Sequence, residues 1–263
     1  MTQTFSAITW NILADAYIKP SRYPNCTPED LEPVARRALV LDTVAELNAD
    51  LLCLQEVEPD AFQDLAKHLQ TTHKGVYAQR GGRPEGSAIF ARTSLFQIVH
   101  HTTLRYQAQG DGQEAQIVIL KTGDQQLAVA STHLKWQPEY VSPQNHVGRL
   151  QLAELLDKRA ELAPNTQTWL IAGDFNAGIQ SCVLEHALAN GVDISCRAQR
   201  PWDTTNINGR RRKLDFLLRT NDLTPSPRPL GVKLGRSTPV MPSARRFASD
   251  HLPVTVDYTL RTA

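Results

Sequence analysis

The chain has 263 residues, of which 41% are hydrophobic and 21% are charged, and its formal net charge is +1. This balance is typical of a folded protein and excludes a polybasic surface over the whole chain, so any basic patch must be local. No apolar run approaches the roughly 18 residues that a membrane helix needs. The amino terminus also lacks the charged and hydrophobic regions of a signal peptide.

The length and the cysteines predict one domain in a reducing compartment. A chain of this size can form a single layered domain, and no linker or low-complexity stretch divides it, so we expect one domain over residues 1–263. Cys26, Cys53, Cys182 and Cys196 show neither a CxxC spacing nor a zinc-finger pattern. We therefore expect free thiols and a cytoplasmic protein. We also expect no membrane association and no obligate protein partner.

The first part of the chain predicts strands and helices in alternation. Residues 5–12 alternate between apolar and polar side chains and predict a strand, and residues 15–29 predict a long polar loop. Helical spacing of apolar residues predicts helices over residues 33–48 and 59–69, each opened by a proline. The apolar run at residues 50–54 predicts a buried strand between them.

The middle of the chain changes character, because predicted strands follow one another with turns between them. These strands cover residues 86–90, 95–101, 115–120 and 127–132. The later predicted elements are a helix from Ser142-Pro143 to about Leu162, a strand over 169–172, a helix over 182–189, a polar loop over 191–209, and strands over 214–218 and 252–260. This order favours an α/β fold in which two sheets pack together with helices on their outer faces, rather than one doubly wound sheet.

The central feature is the stretch from Trp169 to Asn176, where an apolar run ends in glycine, aspartate, phenylalanine and asparagine. The period of two along a strand predicts that Asp174 and Asn176 share a face while Phe175 points the other way. A carboxylate beside an amide could hold a water molecule in one orientation. The same residue types favour turns, so the stretch taken alone also has an ordinary structural explanation.

Polar side chains gather at the other predicted strand ends as well. Asn11, Glu56 and His133 follow three strands, Asp215 lies in a later strand, and Asp250-His251 directly precedes the last one. Each could be structural on its own, and Asp215, for example, could be a buried carboxylate paired with an arginine. Their occurrence together at strand ends favours one functional site.

The residue types of this set indicate phosphoester chemistry. Hard oxygen ligands without cysteine favour Mg²⁺, or Mn²⁺, over zinc. Such an ion can polarise a phosphoryl oxygen and stabilise a leaving alkoxide. Asp174 and Asn176 could orient an attacking water, and a histidine held by a carboxylate could stabilise the charge that develops in the transition state.

Six short motifs carry a resemblance to a known group of proteins. They are Thr9-Trp-Asn11-Ile-Leu, Leu54-Gln-Glu56-Val, Ser131-Thr-His133-Leu, Gly173-Asp-Phe-Asn176, Leu214-Asp215-Phe and Ser249-Asp-His251. In order and spacing this series resembles the endonuclease/exonuclease/phosphatase superfamily over nearly the whole chain. Further marks resemble its deadenylase-like branch, which includes nocturnin and the Angel proteins: Asn11-Ile-Leu-Ala-Asp15, Glu85-Gly-Ser-Ala-Ile-Phe90, Thr132-His-Leu-Lys-Trp136-Gln-Pro138 and Arg149-Leu-Gln151.

The resemblance implies a four-layer α/β/β/α sandwich and metal-dependent hydrolysis of a phosphodiester or phosphomonoester. It implies that Glu56 is the principal Mg²⁺ ligand, with Asn11 beside it and Asp250 near the metal. It also implies that Asp174 and Asn176 position the nucleophilic water, that His251, oriented by Asp215, contacts the scissile phosphate, and that His133 is a second phosphate contact. The branch often has Asp-Gly where this chain has Glu85-Gly86, and the longer side chain leaves the partner of Glu85 open, His133 being one candidate.

Basic and aromatic residues beside the motifs indicate a nucleic-acid substrate. We expect substrate contacts from Glu85, Trp136, Arg149, Arg212 and Lys213. The neighbouring Lys19, Arg22, Arg245 and Arg246 could add phosphate contacts, and Tyr23, Tyr140 and Trp202 could stack on bases. The ordinary alternatives are a solvated charged face and aromatic residues that anchor loops.

Three functions remain open at this level. The first is a phosphohydrolase acting on RNA 3′ ends, either as a 3′ exonuclease or as a phosphatase of 2′,3′-cyclic ends. The second is a hydrolase of small nucleotides or of lipid or inositol phosphates on the same fold. The third is a non-catalytic nucleic-acid-binding module, against which the complete set of polar site residues argues.

Overall fold

The computed structural model describes residues 2–108, 110–195, 203–228, 241–243 and 246–261. The predictions made for Cys196, Trp202 and Arg245 fall outside these residues. The first elements are β1 (Gln3–Asn11), α1 (Pro33–Leu47), β2 (Leu51–Val57), α2 (Pro59–Leu69), β3 (His73–Gln79), β4 (Gly86–Arg92), β5 (Gln97–Arg105), β6 (Glu114–Thr122) and β7 (Gln125–His133). The later elements are α3 (Val147–Asp157), α4 (Arg159–Leu162), β8 (Trp169–Asp174), α5 (Cys182–Ala189), β9 (Asp193–Ile194), β10 (Thr205–Ile207), β11 (Arg210–Arg212), β12 (Asp215–Arg219), β13 (Leu223–Pro227) and β14 (Val254–Leu260).

Two six-stranded sheets form the centre of the fold. The strand order is β13-β14-β1-β2-β4-β3 in the first sheet and β5-β6-β7-β8-β12-β9 in the second, and β10 pairs with β11 apart from both. α1 and α2 pack on the outer face of the first sheet, and α3 and α5 pack on the outer face of the second. The predicted four-layer α/β/β/α sandwich is therefore confirmed.

Both faces of the central strands are apolar because each face is covered. In β7, Leu127 and Val129 point between the two sheets, whereas Ala128 and Ala130 point toward the outer helices. The small alanines let the helices approach, and the larger side chains fill the layer between the sheets. This inner layer fixes how far apart the two sheets lie.

Strand pairing brings the predicted site residues to one end of the sandwich. β7 and β8 are parallel, with His133 opposite Asp174, and β12 is antiparallel to β8, with Asp215 opposite the same Asp174. In the first sheet, β1 and β2 are parallel, and Asn11 lies opposite Gln55. Each sheet therefore contributes half of the polar set at the same end.

The helix predicted from Ser142 to Leu162 is wrong at its start and is interrupted. Its first residue is Val147, and His146 caps it by accepting a hydrogen bond from the Arg149 backbone N–H at 3.3 Å. Ser142 instead begins a turn, in which the Asn145 N–H donates to its carbonyl at 2.9 Å. A break at Lys158 then separates α3 from α4.

Some strands also differ from the prediction. The expected loop over residues 191–209 contains β9 and β10, and the strand expected to end at His101 continues to Arg105. The sequence does not predict β3 and β13, which are the edge strands of the first sheet. Their patterns are weak, because β3 is partly exposed and β13 contains two prolines.

Among the described residues, no helix is long and apolar enough to cross a bilayer.

Candidate active site

Asp174, the last residue of β8, lies at the centre of the polar set and is 2% exposed. Its Oδ2 atom accepts a hydrogen bond from Asn11 Nδ2 at 3.2 Å. The same oxygen is 3.5 Å from His133 Nε2 and 3.7 Å from His251 Nε2. One carboxylate oxygen thus gathers side chains from both sheets, which explains why the end of β8 is the most polar point of an apolar strand.

Glu56 lies beside this centre on the first sheet. Its Oε1 accepts from Asn11 Nδ2 at 2.9 Å, and its Oε2 accepts from the Ala14 backbone N–H at 3.1 Å. The pairing of β2 shifts register at this point, and Glu56 has a φ of 55°. A non-glycine residue in the left-handed region is strained, and such strain concentrates at functional sites. The bulge turns the Glu56 carboxylate toward Asn11.

Asp215 and His251 form a buried pair. His251 Nδ1 is 2.9 Å from Asp215 Oδ2 and 3.0 Å from Oδ1, and the Thr204 hydroxyl donates to Oδ2 at 2.5 Å. Burial by itself lowers the pKa of His251, but Asp215 and Asp174 beside the ring raise it well above its usual range. The two carboxylates thus favour the protonated ring, whose Nε2 lies 3.7 Å from Asp174 Oδ2.

Asp250 is held against the first strand by its neighbours. The Tyr23 hydroxyl donates to Asp250 Oδ2 at 3.0 Å, and the Ser249 hydroxyl donates to the Asn11 carbonyl at 2.7 Å. The Trp10 indole N–H donates to the His251 carbonyl at 2.9 Å. These bonds fix the Asp250-His251 motif next to Asn11.

Asn176 and His133 complete the set at the end of the second sheet. Asn176 has a φ of 50°, its backbone N–H donates to Asp174 Oδ1 at 2.9 Å, and its Nδ2 donates to the Leu134 carbonyl at 3.0 Å. Phe175 turns away and packs against Phe216 in the outer core, as the strand period predicts. His133 Nδ1 is buried and has no hydrogen-bond partner among the described residues, 3.9 Å from Glu56 Oε1.

The donor chemistry fits a hard divalent cation. Glu56 and Asp174 both accept from Asn11 Nδ2, and Asp250 lies next to Asn11 through the Ser249 oxygen. None of the three carboxylates forms an ion pair with a lysine or arginine among the described residues. Carboxylate oxygens are the hard ligands that Mg²⁺ and Mn²⁺ prefer. Asp174, Asp215 and His251 also offer ligand atoms that all lie within 4.8 Å of one another. The residues present could therefore hold a divalent ion at this end of the sandwich.

Trp136 and Arg212 lie at the open side of this end. Trp136 is 47% exposed, and it lines two adjoining cavities of about 410 and 600 Å³ together with Arg212 and Leu214. Lys213 and Asn176 line the first of these cavities. Three predicted substrate-binding residues are thus brought together in a groove with room for part of a nucleotide chain. The groove lies beside the polar residues described above, which we call the central cluster: Asn11, Glu56, His133, Asp174, Asn176, Asp215, Asp250 and His251.

The structure places Glu85 and Arg149, which were also predicted to contact substrate, away from this groove. Glu85 is buried, and its Oε1 accepts from Arg80 Nη1 and from the Tyr17 hydroxyl, each at 3.1 Å. The partner that the sequence left open is therefore an arginine and a tyrosine rather than His133. The Arg149 guanidinium donates to the Pro143 carbonyl and lies 3.4 Å from His186 of α5. Arg149 belongs to the outer helical layer and does not lie with the central cluster.

Other residues of this end were missed or misread from the sequence. Tyr23, proposed as a stacking residue, is 1% exposed and cannot stack on a substrate. Thr204 lies in the stretch predicted as a plain polar loop, yet it bonds directly to Asp215. Buried Arg36 donates to the Ile12 and Leu13 carbonyls and pairs with Asp15 at 2.8 Å. An arginine on the face of α1 that otherwise carries Val40 and Val44 was the one available signal.

The chain is similar to known proteins over the region that carries the six motifs. The model of the Endonuclease/Exonuclease/phosphatase family matches residues 8–251. Rat (Rattus norvegicus) Nocturnin is 27% identical over 204 residues, which are 71% of this chain and 46% of Nocturnin. The "CCR4-Not complex 3′-5′-exoribonuclease subunit Ccr4" of Kluyveromyces lactis is 26% identical over 245 residues, covering 75% of this chain and 30% of that protein. The chain thus spans about half the length, or less, of the curated relatives it matches.

A solved structure gives the same picture at the level of the fold. The crystal structure of ANGEL2, described as a 2′,3′-cyclic phosphatase in complex with adenosine-2′,3′-vanadate, superposes with a TM-score of 0.82 at 20% identity. The match covers 99% of this chain and 97% of the ANGEL2 chain. Together these matches confirm the resemblance that the motif series predicted, including its deadenylase-like branch.

Proposed function

We propose that the chain, which belongs to the Endonuclease/Exonuclease/phosphatase family, is a Mg²⁺-dependent phosphohydrolase acting on the 3′ ends of RNA. The observation that carries the proposal is the convergence of Asn11, His133 and His251 on Asp174 Oδ2. The names of two relatives support the substrate: Ccr4 is called a 3′-5′-exoribonuclease, and ANGEL2 a 2′,3′-cyclic phosphatase. Residues 1–263 would form one catalytic domain, and a cytoplasmic location and independence of a protein partner stay predictions.

Glu56, with Asn11 and Asp250, would hold the ion. A bound Mg²⁺ or Mn²⁺ would supply polarisation of a phosphoryl oxygen and stabilisation of the leaving oxygen. Glu56 suits this role because both of its oxygens are already oriented, by Asn11 Nδ2 and by the Ala14 N–H. A ligand that is oriented before binding loses less conformational freedom when the ion arrives.

Asp174 would accept the proton of the attacking water, with Asn176 beside it as a second anchor. Asn11 and Asn176 donate hydrogen bonds to Asp174, which hold the carboxylate in one orientation for this role. His251, charged through its pair with Asp215, would donate from Nε2 to a phosphoryl oxygen as negative charge develops. His133 would contact the same phosphate from the side of β7.

The groove beside the cluster would receive the RNA chain. Trp136 presents an exposed ring on which a base could stack. Arg212 and Lys213 would contact backbone phosphates, since both line the groove next to Asn176. Glu85 and Arg149 would support the surrounding loops and helices instead of contacting substrate.

An RNA end-processing assay tests the proposal. Three end-labelled RNAs that differ only at the 3′ terminus (hydroxyl, phosphate and 2′,3′-cyclic phosphate) would be incubated with Mg²⁺ or with EDTA. Asp174→Ala removes the central carboxylate, and Asp193→Ala, which removes an exposed partner of Arg219, is the matched control. We expect shortening of the RNA or loss of the terminal phosphate that needs both Mg²⁺ and Asp174.

The products separate the remaining alternatives. Stepwise shortening would identify an exonuclease, and terminal phosphate loss at full length would identify an end phosphatase. If none of the three RNAs changes while a small nucleotide or an inositol phosphate is hydrolysed, the RNA part of the proposal is refuted. If the protein binds RNA and hydrolyses nothing, the proposal that it is an enzyme is refuted, and the result favours a binding module.

A further inference from the structure

Asp250 has an asymmetric environment for a buried carboxylate. It is 4% exposed, and none of the ion pairs among the described residues includes it. Its Oδ2 accepts the hydrogen bond from the Tyr23 hydroxyl at 3.0 Å. Its Oδ1 lies 3.5 Å from the Ser249 oxygen, but the Ser249 proton is already donated to the Asn11 carbonyl at 2.7 Å. Oδ1 is therefore the oxygen with the weaker donor, and it faces the Ser249 oxygen that bonds to the Asn11 carbonyl.

Tyr23 is itself held in place from several directions. Its ring packs with Leu13 and Leu31 in a small apolar cluster of the loop between β1 and α1. Its backbone N–H donates to the Pro20 carbonyl, and its carbonyl accepts from the Cys26 N–H, both at 3.0 Å. The Arg36 guanidinium clamps the start of the same loop through the Leu13 carbonyl at 2.6 Å. The Tyr23 hydroxyl therefore stands at a fixed point.

We propose that Tyr23 is a positioning residue of the divalent-metal site: its hydroxyl holds Asp250 Oδ2 so that Oδ1 stays turned toward Asn11 and the ion. The inference rests on the proposed function, which makes Asp250 part of that site. A carboxylate turns easily about its Cβ–Cγ bond, and a single fixed donor on one oxygen removes that freedom. The loop that carries Tyr23 also orients Glu56 through the Ala14 N–H.

The alternative is that the hydrogen bond serves stability alone. A purely structural bond would lower the thermal midpoint of unfolding by the same amount with and without metal. A positioning bond would instead change the metal concentration at which the protein is stabilised. The two roles therefore differ in a quantity that does not involve catalysis.

The test is a titration of the full chain with Mn²⁺ alone, followed by the rise in thermal midpoint and by the loss of the free Mn²⁺ signal in electron paramagnetic resonance. Tyr23→Phe removes only the hydroxyl. Tyr258→Phe is the matched control, because Tyr258 is equally buried and its hydroxyl donates to the Ser195 oxygen at 2.6 Å. We expect Tyr23→Phe to raise the half-saturating Mn²⁺ concentration about tenfold or more, and Tyr258→Phe to leave it unchanged.

The other outcomes separate the role of Tyr23 from the proposed function. An unchanged half-saturating concentration in Tyr23→Phe, with or without a lower midpoint, leaves Tyr23 a structural residue. If the unmodified protein takes up no Mn²⁺, the metal chemistry of the proposed function fails, and the role of Tyr23 fails with it. If Tyr23→Phe raises the half-saturating Mn²⁺ concentration in a protein that leaves all RNAs intact, the RNA substrate is refuted and the role of Tyr23 is supported.

Discussion

Replacing Thr204 with valine tests how much the Thr204 hydroxyl stabilises the Asp215–His251 pair. The Thr204 hydroxyl donates to Asp215 Oδ2 at 2.5 Å, and its oxygen accepts from the backbone N–H groups of Leu214 at 3.0 Å and Asp215 at 3.3 Å. Valine keeps the branched shape of the side chain at this buried position, so the change removes hydrogen bonds and leaves little empty space. The effect can therefore be assigned to those bonds.

The expected magnitude follows from what is left unpaired. A hydrogen bond to a buried charge contributes about 1.5–3 kcal/mol, and a buried N–H left without a partner costs about 1–3 kcal/mol. Because the bonds share one oxygen they do not add, and we expect the free energy of unfolding to fall by about 3 kcal/mol. We also expect kcat to fall about 10- to 100-fold, which corresponds to about 1.4–2.8 kcal/mol of lost transition-state stabilisation.

Urea unfolding and steady-state kinetics on the best RNA substrate measure the two effects. Thr205→Val is the matched control, because the neighbouring threonine is equally buried but donates at 3.3 Å to the neutral Arg212 carbonyl. We expect the control to cost about 1 kcal/mol and to leave kcat nearly unchanged. If Thr204→Val and Thr205→Val behave alike in both measurements, the hydroxyl does not support the pair and the reasoning is wrong.

Three further outcomes are expected. Trp136→Ala should raise the KM for RNA about tenfold, because base stacking contributes about 1–3 kcal/mol, while Tyr140→Ala, on an exposed ring that lines neither cavity, should change KM less. Arg36→Met should lower the free energy of unfolding by about 3 kcal/mol, because it removes the buried donor to the Ile12 and Leu13 carbonyls. Arg37→Met removes partly exposed ion pairs with Asp15 and Asp64 and should cost under about 1 kcal/mol in the same urea experiment. Burial lowers the pKa of His73 below its usual 6.5, so its contribution to stability should be complete above that pH and lost as pH falls through the folded pKa. His73→Gln should flatten this dependence between pH 8 and pH 5, and an unchanged slope would contradict the assignment.

The central cluster could be predicted from sequence because it depends on strand ends. A strand's period and its apolar run locate its last residue, and parallel pairing then places such residues together, as with His133 and Asp174. Asn11, Asp215 and His251 follow from the same logic, since each begins, ends or adjoins a strand. The two-sheet architecture was predicted from the order of the elements, because a run of closely spaced strands follows an alternation of strands and helices.

The supporting residues could not be predicted in this way because their partners are distant in sequence. Tyr23 and Asp250 are 227 positions apart, and the loop that carries Tyr23 has no period from which its burial could be read. The start of α3 failed for a local reason: Ser142-Pro143 and His146 are both acceptable helix starts, and the tertiary position of the chain decides between them. The partner of Glu85 was left open, with His133 as one candidate, and the structure supplies Arg80, a cation only five residues away in sequence.

The division of the site between two sheets has a consequence for how its activity can change. Asn11 and Glu56 lie on one sheet and Asp174 lies on the other. The 3.2 Å hydrogen bond from Asn11 to Asp174 therefore spans the gap between the two sheets. That gap is set by the apolar side chains of the middle layer, such as Cys53 and Leu170. Enlarging or trimming them would alter the reach between the two halves of the site. Substitutions that change the volume of this apolar layer could therefore alter the turnover rate while every polar residue of the site stays the same.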